Sequence, residues 1–255
     1  MDDEPAQRKR MPRAGRGGKA LRRGVAGMAV CVAFLSPAAA AEAIAGVAAN
    51  FLTTARQLVD AFEAQGDHEI VLAHGSTGRL YAQMVHGAPF DLYLAADADR
   101  PARLAGEGRS APPVTYALGR LVAVSRPGTA EDWSGLRVAI ADPEVAPYGQ
   151  AAMEVLAGLG HAETVTLVYG DSVGQTATLF ATGNADVGLI AASQLPDLPV
   201  AADVLVLDDL HAPLRQDAVL TIAGRDNPAA TAFFEFLQGA EARAIITAAG
   251  YGLPG

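Results

Sequence analysis

Beyond residue 41 this 255-residue chain has neither a lysine nor a cysteine. A P-loop nucleotide site needs a lysine after its glycines, so that class is excluded. Without cysteines no disulfide framework supports the fold, and about 214 residues must hold together by core packing alone. Positive charge is scarce as well. Eight of the 19 Lys/Arg and three of the 28 Asp/Glu lie in the first 41 residues, which leaves 11 against 25 and a net charge of −14. Phosphate backbones need clustered cations, so no nucleic-acid partner is expected. His68, His74, His86, His161 and His211 have no tight metal-ligand spacing, and no metal site is expected.

What is present begins with a basic flank, an apolar run over residues 24–35, and the small residues Ser36-Pro37-Ala38-Ala39-Ala40-Ala41. This is the layout of a secretory signal cleaved after Ala41 or one residue earlier. The run is too short to cross a bilayer as an anchor. Arg22-Arg23 leaves Sec and twin-arginine export both open, though its surroundings fit the second poorly. Cys31 lies mid-run after Val30, an ordinary apolar position rather than a lipid attachment site.

Apolar strands then alternate with helices. Strands are predicted over 44–47, 69–73, 91–95, 137–140, 164–169 and 187–191. Helices are predicted over 52–62, 76–85, 97–105, 148–159 and 173–182, with two more over 228–237 and 241–249. Such alternation marks doubly wound α/β sheets, and two series argue for two lobes. The stretch 117–125 is apolar and too long for a turn, and 216–222 reads as another long strand; both are read as crossovers between the lobes. The chain divides into a signal peptide (1–41), a first lobe (42–118), a second lobe (119–217) and a return to the first lobe (218–255).

Ligands of open α/β sheets bind outside the carboxyl ends of the strands. Several strand-to-helix turns place donors there: Asn50, then Ser76 and Thr77, then Tyr148, and the N–H of Val173. A helix start offers unpaired N–H groups and a positive dipole end, which suits an anion. Each residue also has a purely local explanation. Asn50, Ser76 and Thr77 are good helix caps, and Tyr148 suits packing.

The segments Val47-Ala48-Ala49-Asn50-Phe51, Gly75-Ser76-Thr77-Gly78-Arg79-Leu80-Tyr81-Ala82-Gln83 and Gly87-Ala88-Pro89-Phe90-Asp91-Leu92-Tyr93-Leu94-Ala95-Ala96-Asp97 resemble the periplasmic molybdate-binding proteins of ABC importers. So do Ala141-Asp142-Pro143-Glu144-Val145-Ala146-Pro147-Tyr148-Gly149 and Ala181-Thr182-Gly183-Asn184-Ala185-Asp186-Val187-Gly188. No single motif is diagnostic, but the ordered set spans the chain from about Ile44 to its end. The resemblance implies a two-lobed periplasmic binding protein of type II, each lobe a mixed, mainly parallel sheet flanked by helices. It implies molybdate or tungstate as ligand, an ABC permease as partner, a periplasmic location, a monomer, no cofactor and no enzymatic activity. It carries ligand roles onto Asn50, Ser76, Thr77, Tyr148 and Val173. Some family members have a tyrosine where this chain has Ala191; others carry it in the Ala-Pro-Tyr-Gly turn, as here. Asn50 stands where many relatives have serine.

An all-donor shell suits a fully deprotonated oxyanion, whereas a protonated phosphate would need an acceptor. The alternatives are another oxyanion such as sulfate or phosphate, or an exported hydrolase. For the hydrolase, His74-Gly75-Ser76-Thr77-Gly78 lacks the first glycine of a nucleophile elbow. Asp91 and Asp97 read better as a strand edge and a helix cap than as a carboxylate pair.

Overall fold

The computed structural model describes residues 40–129 and 132–255, so all but the last two residues of the expected signal lie outside the described part. Two five-stranded sheets make up the molecule. The first contains β1 (Glu42–Ala48), β2 (Glu69–Gly75), β3 (Leu92–Leu94), β4 (Val114–Gly119) and β10 (Leu214–Leu220), in the order β2-β1-β3-β10-β4. The second contains β5 (Leu121–Ser125), β6 (Arg137–Ala141), β7 (Thr166–Gly170), β8 (Val187–Ala191) and β9 (Asp203–Val206), in the order β7-β6-β8-β5-β9. Within each sheet one strand, β10 or β5, runs against the other four, so both sheets are mixed and mainly parallel.

Helices cover both faces of the first sheet because their apolar positions recur at helical spacing. In α1 (Leu52–Glu63), Ala55, Leu58 and Val59 are buried. They join Phe233 of α6 (Pro228–Phe236) and Ile246 of α7 (Ala240–Ala248) in one core. On the other face, Leu80 of α2 (Thr77–Val85) and Leu104 of α3 (Asp99–Gly106) pack with Phe90 and Tyr93. The second sheet buries Ile140 and Leu189 against Val155 and Leu156 of α4 (Pro147–Gly158) and Phe180 of α5 (Val173–Ala181).

The apolar stretch 117–125 crosses between the lobes as expected, as two strands, β4 and β5, in different sheets with Arg120 between them. Two features differ from the sequence reading. The stretch 216–222 is no crossover: β10 pairs with β3 and β4 inside the first sheet, so the return falls in 207–213, a few residues before the expected boundary at 218. Apolarity over five to nine residues does not say which sheet takes up a strand. The edge strand β9 was not anticipated; Val204, Leu205 and Val206 are about half exposed, and such short runs give a weak periodic signal.

Candidate functional site

Four strand-to-helix turns converge between the sheets on a small cavity. It is lined by Asn50 from the turn after β1, Ser76 and Thr77 after β2, Pro147 and Tyr148 after β6, and Ser172 and Val173 after β7. All five residues expected at the site are therefore brought together, although Asn50 and Tyr148 are 98 positions apart in the chain. The parallel strands deliver this result, since their carboxyl ends lie side by side.

Ser76 is the N-cap of α2 in extended conformation (φ −66°, ψ 147°), yet its side chain caps nothing. Its Oγ is buried without a hydrogen-bond partner among the described residues. Leaving a buried hydroxyl unpaired costs about 1–3 kcal/mol, so this atom is aimed at something other than the protein. The Thr77 hydroxyl accepts from Ala96 N at 3.0 Å, which leaves its own proton to donate. Thr77 is held from its main chain too, where its carbonyl accepts from Tyr93 Oη at 2.8 Å.

Pro147 opens α4 at the position where a helix needs no N–H, and Tyr148 follows as its first free main-chain donor. The helix can start this close to β6 because Gly149 has no Cβ; one added there would overlap the Ala141 carbonyl. The Tyr148 hydroxyl accepts from Gln216 Nε2 at 3.2 Å. Burial pushes its pKa well above that of an ordinary tyrosine, against the hydrogen bond from Gln216. The phenol thus stays neutral and able to donate. At α5, Ser172 takes the cap by accepting from Gln175 N at 3.3 Å, and Val173 N–H is left at the helix start.

Asn50 is differently employed. Its Nδ2 donates to Gln216 Oε1 at 3.0 Å and to Tyr251 Oη at 3.1 Å, so both amide hydrogens are used within the protein. Only its main-chain N–H remains for a ligand. Sequence reasoning missed the partners behind it: Gln216, Tyr251 and Ser193. None of the three left a signal: Gln216 sits between Arg215 and Asp217 in β10, so its polarity does not stand out, and Ser193 and Tyr251 follow no local pattern.

Among the described residues no Asp, Glu, Lys, Arg or His lines the cavity. Arg79, on α2 two residues after Thr77, pairs with Asp171 of the opposite half at 2.7 Å, both side chains about half exposed or more. A larger cavity, with about 610 Å³ of empty space, is lined by Asp97, Asp99 and Glu154 as well as Arg215, a poor setting for an anion. The Asp91 and Asp97 carboxylates are engaged within the fold, accepting from Ile44 N at 2.8 Å and Arg100 N at 3.1 Å.

Several contacts join the two halves around the cavity. Gly78 N donates to Val145 O at 2.8 Å, Thr53 Oγ1 to Asp197 at 2.9 Å, and Arg100 Nη2 to the Glu144 carbonyl at 3.3 Å.

Two lobes closed over a small donor-lined cleft define a solute-binding protein. The family described as bacterial extracellular solute-binding protein matches residues 44–252, and the chain belongs to that family. It is 41% identical to the molybdate-binding protein ModA of Rhodobacter capsulatus over 242 residues, covering 91% of this chain and 96% of that one. The ModA of Azotobacter vinelandii is 40% identical over 243 residues, with 89% and 94% covered. The solved periplasmic molybdate-binding protein of Azotobacter vinelandii superposes with a TM-score of 0.77 at 35% identity, covering 84% of this chain and all of the other. The two-lobed architecture and the family resemblance read from the sequence are both borne out.

Proposed function

We propose that this protein is an exported binding protein that captures molybdate or tungstate between its lobes and delivers it to an ABC permease in the inner membrane. The observation that carries this reading is the buried, unpartnered Ser76 Oγ in a cavity of hydrogen-bond donors. Asn50 and Val173 serve through main-chain N–H groups, Ser76 and Thr77 through hydroxyls, and Tyr148 through its N–H and hydroxyl. A tetrahedral dianion with no proton matches such a shell at every oxygen, and converging N–H dipoles replace cationic side chains. The names of the ModA relatives support the choice of oxyanion.

The ligand-free protein is a monomer whose lobes part about the two chain crossings, at Arg120 and at 207–213, and close on the anion. It works in the periplasm after loss of the N-terminal signal, without cofactor or catalysis. Isothermal titration with molybdate, tungstate, sulfate and phosphate tests the proposal. The expected result is 1:1 binding of the first two and much weaker binding of the others. Preference for sulfate or phosphate, or no binding of any, overturns it.

A further inference from the structure

Behind the candidate site runs a chain of buried polar groups whose hydrogen-bond polarity is set from one end. Tyr251 Oη lies 2.7 Å from the Asn50 carbonyl oxygen and 2.9 Å from Ser193 Oγ, and Ser193 Oγ lies 3.1 Å from the same carbonyl. A carbonyl only accepts, so the single Tyr251 proton is spent on this side. The 3.1 Å contact between Tyr251 Oη and the Asn50 amide therefore has the amide as donor. The other hydrogen of that NH₂ goes to Gln216 Oε1 at 3.0 Å. With its oxygen turned to Asn50, Gln216 presents its NH₂ end to Tyr148 Oη, 3.2 Å away. Tyr148 must accept there. No described residue takes its own proton, and Tyr148 lines the cavity.

We propose that Gln216 is a positioning residue that holds the Tyr148 hydroxyl as a donor toward the bound oxyanion, and so sets the preference for anions that carry no proton. This rests on reading the cavity as an oxyanion site. A hydroxyl is a donor or an acceptor according to its surroundings. Left free, the Tyr148 hydroxyl turns its lone pair to the proton of hydrogen phosphate; held from behind by an NH₂, it offers only its hydrogen. Gln216 is fully buried in β10 of the first sheet, whereas Tyr148 opens α4 over the second. The polarity is therefore imposed only when the two halves meet.

The ionisable groups around Gln216 come from several elements. Tyr116 of β4 lies 3.1 Å from its Oε1, Tyr148 and Tyr251 stand as described, and Asp217 follows it on β10, paired with Arg215 at 2.7 Å and accepting from Thr115 at 2.8 Å. Asp97, beyond β3, pairs with Arg100, and burial pushes its carboxyl up. Burial pushes all three tyrosines up, so none ionises near neutral pH.

Molybdate affinity of Gln216→Met and Gln216→Glu, measured by titration calorimetry with Tyr148 present and in a Tyr148→Phe background, tests the role. Gln216→Met should weaken binding about three- to tenfold when Tyr148 is present, and by less than about twofold in the Tyr148→Phe background. In Gln216→Glu the carboxylate accepts from Tyr148 at about pH 8, and affinity should fall about tenfold or more. At about pH 5.5 the buried acid is protonated and offers one O–H and one C=O, as the amide does, so affinity should recover toward the parent measured at the same pH. Equal losses in both backgrounds, or a Glu variant whose pH profile matches the parent, overturn the proposal. If the Gln216 variants do not fold, Tyr251→Phe in the same two backgrounds carries the test with the same expected contrast. Failure of the parent protein to bind molybdate at any pH overturns the oxyanion reading instead, so the two failures are told apart.

Discussion

Gly78→Ala separates closure of the lobes from their stability. Gly78 is the second residue of α2, and its N–H donates across the cleft to Val145 O at 2.8 Å. A Cβ at this position would lie 2.9 Å from Val145 O and 3.0 Å from both Val145 Cα and Arg100 Nη2. Two of these three atoms are backbone of the opposite half, which cannot turn aside as a side chain can. The closed form must widen there, losing a hydrogen bond and accepting a poor contact, at a cost of about 2 kcal/mol. On the proposed closure, in which only the closed form holds the anion, affinity should fall about thirtyfold. In the open form the same change places Ala in a helix with nothing opposing it, and should stabilise the ligand-free protein by about 0.5–1 kcal/mol. Calorimetric titration with molybdate, thermal melting without ligand, and small-angle scattering with and without it measure the three quantities. Weaker binding, an equal or higher melting temperature and reduced compaction are expected together. Unchanged affinity refutes the closure argument, and a ligand-free melting temperature that drops along with affinity shows that the lobes are already shut without ligand.

The double change Ser76→Ala with Thr77→Ala should lower molybdate affinity by about a hundredfold or more, since each hydroxyl donor to a charged ligand contributes about 1.5–3 kcal/mol, tenfold or more per contact. Main-chain donors should keep some binding, and normal affinity with a much lower melting temperature would make both residues structural. Tyr148→Phe should weaken molybdate and tungstate together by about 1.5–3 kcal/mol. Titration showing no change in either would take the hydroxyl out of the site. Arg79→Gln should cost less than about fivefold, because its pair with Asp171 is solvent-exposed. Arg79 beside Asp171 holds that carboxyl below the usual carboxylate range. The pair's contribution is therefore complete above the ordinary carboxylate pKa and is lost as pH falls through the lowered one, so titrations in increasing acid should show parent and variant converge. A gap that widens in acid would contradict this.

The sequence by itself determined the alternation of strands and helices, because apolar spacing of two and of about 3.6 residues is a local property. It also determined the net charge of −14 beyond residue 41, since charge needs no fold to be counted. The strand-to-helix turns carrying Asn50, Ser76, Thr77, Tyr148 and Val173 were legible for the same reason: caps, glycines and prolines act over a few residues. Tertiary structure decided how each of them is used. Ser76 and Asn50 both read as caps or donors, but one has an unpaired hydroxyl at the cavity and the other spends its amide on Gln216 and Tyr251. Asn50 and Gln216 are 166 positions apart, and no local pattern links them. Which sheet would take β4, β5 and β10 was equally hidden, because an apolar strand fits any buried register until its neighbours are in place. The polarity of the Tyr148 hydroxyl depends on three residues from the first lobe meeting one helix start from the second, and only the assembled fold brings them together.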